Sequence, residues 1–223
     1  MKSLPSSPFG VKVQAVLFDM DGVLISSIES DERSWRRWAR LHHMEDTFSI
    51  GSTHGRRTID TSRALRPDLD PSIELQRLEA FDAEDGGGLT VYPGVHELLA
   101  ALSPSQWSIV TSASEAIMKQ RLRILGVPLP LKIVTAEMVT YGKPHPEPYL
   151  LAASLLGRAP AECLVIEDSP SGIRAGKDAG CVVLAVESSH PSHVLHEADW
   201  VIRSLGCVNL ITTEDREIVC CGV

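Results

Sequence analysis

The sequence predicts an α/β protein: a parallel sheet covered by helices on both faces, with a small helical block inserted after the first strand. Three observations predict it. Short apolar, partly β-branched runs alternate with amphipathic helical segments along most of the chain, the pattern of repeated β-then-α units. That alternation stops between Ser26 and Gly88, where only helical spacing is seen. Four polar clusters, Asp19/Asp21, Thr111/Ser112, Lys143 and Glu167/Asp168, fall at strand ends, where such sheets bind ligands.

The first strand is read over Val13 to Phe18. Side chains two apart on a strand share a side, so Asp19 and Asp21 are expected to emerge together. Gly22 then permits a sharp turn. Ile25 to Met44 carries Ile28, Trp35, Trp38, Ala39 and Leu41 near helical spacing, with charged residues between them. A second helix covers Arg56 to Leu65 and stops at Pro67. A third runs from Pro71 to about Glu84, with Pro in its first turn, and the Asp85 to Gly88 run is a linker.

Beyond Val91 the alternation resumes. Pro93 to Leu102 is a helix, and Trp107 to Val110 a strand ending in Thr111-Ser112-Ala113-Ser114. A helix over Glu115 to Leu125 closes at Gly126, and a short strand spans Ile133 to Thr135. After the loop Tyr141 to Pro148, a helix follows from Pro148 to Leu156. Cys163 to Ile166 is a strand, Ser171 to Ala179 a helix, and Cys181 to Val186 another strand. A last short strand within Leu195 to Ile202 follows a helix.

Composition narrows the function. The chain has 223 residues, 43% of them hydrophobic, and a formal net charge of −8. That charge argues against nucleic acid as a partner, and an anionic substrate would need a local positive patch. No apolar run is long enough to span a membrane. Met1 to Gly10 lacks the apolar stretch of a secretory signal and reads as a frayed lead-in. The five cysteines form no zinc spacing, and their odd number fits a reducing cytoplasm. Cys163 and Cys181 read as buried thiols, and Cys220/Cys221 as an oxidation-prone tail.

Two neighbouring carboxylates repel and are costly to desolvate, so a cation is expected between or beside Asp19 and Asp21. Asp19, Asp21 and Asp168 supply carboxylate or backbone oxygens for Mg²⁺. Lys143 supplies a point charge, Thr111 a hydroxyl, and the amides of Ser112 and Ala113 can face an anion where a helix begins. Together these make a seat for a phosphoryl group. In this scheme Asp19 attacks as nucleophile and Asp21 handles the proton. Glu167 is open between a structural carboxylate and a metal ligand. Trp35/Trp38 read as helix packing, and His145 as a loop residue.

Phe18-Asp19-Met20-Asp21-Gly22-Val23-Leu24, Val110-Thr111-Ser112, Gly142-Lys143-Pro144 and Glu167-Asp168-Ser169-Pro170-Ser171-Gly172-Ile173 resemble, in order, the four motifs of the haloacid dehalogenase-like phosphohydrolases. The resemblance covers Val13 to Val201. It implies a Rossmann-like core, residues 1–26 and 91–223, with an α-helical cap over 27–90. It also implies Mg²⁺, an aspartyl-phosphate on Asp19, Asp21 as acid–base and backbone-carbonyl metal ligand, and Asp168 as a direct ligand. The stretches Val134 to Val139, Gly142 to Leu150 and His54-Gly55-Arg56-Arg57-Thr58 look most like sugar- and polyol-phosphate phosphatases, of the 2-deoxyglucose-6-phosphate and glycerol-phosphate type. On that resemblance the substrate is a small phosphorylated sugar or polyol, with Thr111, Ser112, Lys143 and Arg57 binding it. The expected particle is a monomer or weak homo-oligomer in the cytoplasm. Many relatives carry Asp-Ser where this chain has Ser26-Ser27, which implies a different contact between core and cap. Two alternatives remain: a β-phosphoglucomutase-like transfer and a catalytically silent binding protein. A glycosyltransferase built on the Asp-Met-Asp metal motif would leave Lys143 and Glu167-Asp168 without a task.

Overall fold

The computed structural model describes residues 9–48, 53, 55–85, 87–212 and 218–222. His54, one of the cap residues singled out above, lies outside them. The chain begins with β1 (Phe9–Val13), β2 (Ala15–Phe18) and β3 (Ile25–Ser26). Three helices follow, α1 (Ile28–Leu41), α2 (Thr58–Leu65) and α3 (Pro71–Asp85). Then come β4 (Thr90–Val91), α4 (Val95–Ala100), β5 (Trp107–Val110), α5 (Glu115–Leu125), β6 (Ile133–Val134) and α6 (Glu147–Leu155). The last elements are β7 (Cys163–Glu167), α7 (Pro170–Asp178), β8 (Val182–Val186), β9 (Trp200–Ile202), β10 (Val208–Thr212) and β11 (Ile218–Gly222).

Six strands form one parallel sheet in the order β6-β5-β2-β7-β8-β9. The central strand β2 is fully buried, and its alternation divides the core. Val16 and Phe18 pack with Ile109, Leu122, Leu164 and Ile166 on one face. Ala15 and Leu17 pack with Tyr149, Val165, Ile173 and Val183 on the other. The sheet is thus filled from both sides, as a parallel sheet requires. Order reverses at β2, since β5 lies on one side and β7 on the other, and ligands bind beyond the carboxyl ends at such a point.

The helices α1 to α3 carry their own apolar cluster of Trp35, Trp38, Ala39 and Leu78. Trp38 Nε1 is satisfied by Glu74 Oε2 at 2.7 Å, and Trp35 meets the Trp38 ring edge-on at 5.4 Å. Where the chain leaves for this block and where it returns, β3 and β4 pair antiparallel, Ile25 with Val91 and Ser26 with Thr90.

Five expectations need correction. The apolar run Val13 to Phe18 is not one strand: it divides at Gln14, and β1 turns away to pair antiparallel with β11. Phe9 and Gly10, read as frayed lead-in, belong to β1. Nor is β9 the last strand, because β10 and β11 complete a three-stranded antiparallel sheet with β1. A single 3₁₀ turn, Ser192–Val194, stands where a helix before β9 was read. Cys220 is therefore no exposed tail: it is fully buried in β11 against the core, and burial pushes its thiol up to about 12. Cys163 and Cys181 are buried as expected.

Candidate active site

The carboxyl ends of β2, β5 and β7 bring Asp19, Thr111, Glu167 and Asp168 together, and the loop before α6 delivers Lys143 between them. Lys143 is 2% exposed. Its Nζ donates to Asp19 Oδ1 at 2.6 Å, to Glu167 Oε1 at 2.7 Å and to the carbonyl of Val110 at 3.0 Å. All three ammonium hydrogens are thus engaged, which fixes the charge at one point. Burial alone would lower its pKa, but Asp19 and Glu167 outweigh burial and hold the ammonium form.

Glu167 is fully buried and saturated. Its Oε1 accepts from Lys143 and from the Tyr149 hydroxyl at 2.8 Å. Its Oε2 accepts from the amides of Asp168 and Ser169 and from Ser169 Oγ. Burial pushes this carboxyl up, but Lys143 and these hydrogen bonds outweigh it and hold it below its usual range. In this arrangement Glu167 orients Lys143 and the β7–α7 turn. Room for it comes from Gly172, where a Cβ would stand 1.7 Å from Glu167 Oε1.

Asp168 is the opposite case. It is 3% exposed, and its Oδ1 has no hydrogen-bond partner among the described residues. Burial, then Glu167 and Asp19, push its carboxyl well up. Asp19 is likewise lifted to about 8, by burial first, with Glu167 and Asp21 adding and Lys143 opposing. Ligand atoms of Asp19, Glu167 and Asp168 all lie within 4.8 Å of one another. Three carboxylates against one ammonium leave a formal deficit of positive charge. A hard divalent cation on Asp19 and Asp168 fits that deficit and the orphaned oxygen. Glu167, with both oxygens occupied, is not available as a ligand in this arrangement.

Asp21 leaves the same loop but has a different partner. Arg121, on α5 and 5% exposed, donates from Nη1 to Asp21 Oδ1 at 2.5 Å. Its Nη2 reaches Asp31 Oδ1 at 2.6 Å and Asp82 Oδ1 at 2.8 Å. Asp19 and Asp21 both line one cavity of ≈ 340 Å³ between the sheet end and the helical block. That size lies within the range of small-ligand sites. Thr111 and Ser112 line it too; the Thr111 hydroxyl accepts from the Ala113 amide at 3.0 Å. Ser112 Oγ donates to the carbonyl of Gly55 at 3.0 Å, so that hydroxyl joins the two parts of the molecule.

Arg57 differs from its sequence reading. Its Nε and Nη2 clasp Asp60 at 2.6 and 3.1 Å. Nη1 donates to the carbonyls of Ala136 and Val139, and Nη2 to that of Thr140. All five donors are engaged by protein acceptors. Arg57 thereby fixes the helical block to the 136–140 loop and presents no free cation to a phosphoryl group.

Sequence reading missed Arg121, Tyr149, Asp31 and Asp82. A signal for Arg121 was present: it sits at helical spacing from Ile117, Met118 and Leu125, on the apolar face of α5. An arginine there needs a buried carboxylate.

The model of the haloacid dehalogenase-like hydrolase family matches residues 13–180. The chain belongs to that family. This hydrolase is 38% identical to hexitol phosphatase A of Escherichia coli over 214 residues, covering 94% of this chain and 99% of the relative. It is 32% identical to glycerol-1-phosphate phosphohydrolase 2 of Saccharomyces cerevisiae, covering 90% and 86%. Among solved structures, beta-phosphoglucomutase of Clostridium difficile superposes with a TM-score of 0.76 at 23% identity, covering 87% of this chain and 92% of that one. CbbY of Rhodobacter sphaeroides, in complex with phosphate, gives 0.72 at 23% identity, covering 87% and 95%. At that identity the structural likeness speaks to the fold. No helix among the described residues is long and apolar enough to cross a membrane.

Proposed function

We propose that this hydrolase is a Mg²⁺-dependent phosphatase that releases phosphate from a small sugar or polyol monophosphate through an aspartyl-phosphate on Asp19. The observation that carries the reading is the buried Asp19–Lys143–Glu167 array beside the orphaned Asp168 oxygen, with Asp19 and Asp168 lining the cavity. Asp19, Asp168 and the backbone carbonyl of Asp21 hold the cation, which when bound offsets negative charge on the phosphoryl oxygens and favours the ionised Asp19. The Thr111 hydroxyl hydrogen and the Ser112 amide seat the phosphoryl group, and Lys143, whose hydrogens are held by Asp19, Glu167 and Val110, acts on it as a nearby positive charge.

In the first step an Asp19 oxygen bonds to phosphorus, the ester P–O bond breaks, and Asp21 protonates the leaving alkoxide. In the second, water bonds to phosphorus and gives its proton to Asp21. The P–O bond to Asp19 breaks and inorganic phosphate leaves.

Residues 27–90 act as the cap and set selectivity. The far end of the cavity is lined by Asp31, Ser34, Trp35, Glu79 and Asp82. Ser34 Oγ is buried there without a partner among the described residues. Carboxylates, an unpaired hydroxyl and an aromatic face suit an uncharged polyhydroxylated chain. They suit a second phosphate poorly, since the donors of Arg57 are all taken, the Arg121 charge is already faced by Asp21, Asp31 and Asp82, and the exposed Arg56 is the other cation on the lining. A mutase that returned its phosphoryl group to a sugar hydroxyl would have to hold a bisphosphate, so the phosphatase reading is favoured. The names of the two curated relatives support the same substrate class. The five free thiols suit a reducing cytoplasm.

The test is phosphate release from hexitol 6-phosphates, glycerol phosphate and 2-deoxyglucose 6-phosphate with Mg²⁺, with chelator as control. Release that requires the cation and is abolished by Asp19→Asn supports the reading. Undiminished activity in Asp19→Asn, or isomerisation of glucose 1-phosphate without phosphate release, defeats it.

A further inference from the structure

We propose that Arg121 is a positioning residue that ties the Asp21 carboxylate to closure of the cap, an inference that rests on the acid–base role proposed for Asp21. The two ends of its guanidinium serve different parts of the molecule. Nη1 holds Asp21 on the core loop, and Nη2 holds Asp31 on α1 and Asp82 on α3. A guanidinium is planar and rigid, so whatever fixes Nη2 also sets the direction in which Nη1 points. When the cap swings away, Nη2 loses both anchors and the fork is free to rotate. Asp21 then loses the contact that aims it.

The cap side of this link is itself braced. Ser27 Oγ donates to Asp31 Oδ2 at 2.9 Å, and Ser30 Oγ donates to Asp82 Oδ1 at 3.0 Å. Both serines sit just after β3, where the chain crosses into the cap, so movement at that crossing reaches both carboxylates. The Ser26-Ser27 departure from the family pattern falls at this point.

The arrangement is costly as packing alone. Arg121 Nε is buried with no partner among the described residues, and the guanidinium sits on the face of α5 that also buries Met118 and Leu122. A buried donor left unpaired is destabilising, and an apolar residue of similar volume would fill that face without it. What the arginine adds is the connection between its two ends. Arg57 holds the cap elsewhere and has no hydrogen bond to Asp21 among those described, whereas Arg121 hydrogen-bonds both Asp21 and the cap carboxylates Asp31 and Asp82.

The link can be read from leaving groups. An alkoxide needs a proton as it departs, whereas p-nitrophenolate leaves without one. The measured quantity is kcat/KM, which reports the transfer to Asp19, for a hexitol phosphate and for p-nitrophenyl phosphate. Asp21→Asn should lower the first by about 100-fold or more and the second by less than about fivefold. Arg121→Lys keeps the charge but cannot fork, and the double variant Ser27→Ala/Ser30→Ala leaves Arg121, Asp21 and the cavity-lining carboxylates in place while removing the braces on the cap anchors. Both should show the same selective loss on the alkyl substrate. If Asp21→Asn is selective and either of these slows the two substrates equally, the proposal falls while the acid–base reading stands. If Asp21→Asn itself slows both equally, that reading fails and takes the proposal with it. Should Arg121→Lys not fold, the double cap variant decides the matter.

Discussion

Replacing Gly22 by Ala tests the proposed metal centre without touching any ligand. Gly22 has φ +88°, and an added Cβ would lie 1.8 Å from Asp168 Oδ2 and 2.4 Å from its Cγ. The left-handed conformation costs a residue with a side chain about 1–2 kcal/mol. The clash adds to this, because the buried carboxylate has to retreat by more than an ångström into a packed interior, at about 1–3 kcal/mol more. Displacement on that scale should lower kcat/KM by about 100-fold or more. It should weaken Mg²⁺ affinity by about 10–100-fold. The assays are calorimetric Mg²⁺ titration, phosphate release and thermal melting. Gly157→Ala is the control: its φ is +66° with nothing within 4 Å of the added Cβ. That variant should show only the backbone penalty and keep its metal affinity. If Gly22→Ala kept its metal affinity and turnover near wild type, Asp168 would not be acting from the position argued here.

Metal affinity should depend on pH in a stated direction. Asp19 titrates near 8 in the cation-free protein because burial, Glu167 and Asp21 outweigh Lys143. Asp168 is pushed up as well, so binding below that value displaces at least one proton, and Mg²⁺ affinity should rise by about tenfold or more per pH unit up to about pH 8. A flat profile would contradict the assignment. A raised carboxyl pKa contributes stability fully below its unfolded value and loses it as pH rises through the folded one. The cation-free melting temperature should therefore fall from about pH 4 to about pH 8, and Mg²⁺ should restore it. Arg57→Ala should loosen the cap by removing donors to Ala136, Val139 and Thr140. An increase in KM of about tenfold, with faster amide exchange in residues 27–90, is the expected result. An unchanged KM would mean that Arg57 does not hold the cap for substrate.

Much of the core was legible because its rules are local. Short apolar runs at Trp107 to Val110 and Cys163 to Ile166, bounded by polar residues, read as buried strands, and carboxylates placed directly after such strands need a cation. Gly126 after Leu125 marked a helix end to the residue. The three-stranded sheet was not legible, because β1 pairs with a strand some 200 residues away and the break at Gln14 carries no turn residue. Arg57 was misread for a related reason. A cationic side chain near a predicted phosphate seat looks available until its acceptors are known, and three of them are main-chain carbonyls of a distant loop.

Glu167 and Asp168 make the same point about adjacent residues of one charge. On a strand end they face different ways, and the fold gives one of them five hydrogen bonds while one oxygen of the other has none. The first can hold a lysine and the second can hold a metal. The array around Lys143 sets three carboxylates against one cation, and so does the array around Arg121, which gathers Asp21, Asp31 and Asp82. In the first the deficit is open to the cavity floor, where a divalent ion and a phosphoryl group can enter together. In the second it is enclosed by the cap helices, and the negative excess faces the far end of the same cavity. A chain with net charge −8 can therefore draw an anion to one end of its site and repel it from the other. On the proposed function, a monophosphate with an uncharged tail would have one productive orientation in such a field, with its phosphorus at Asp19.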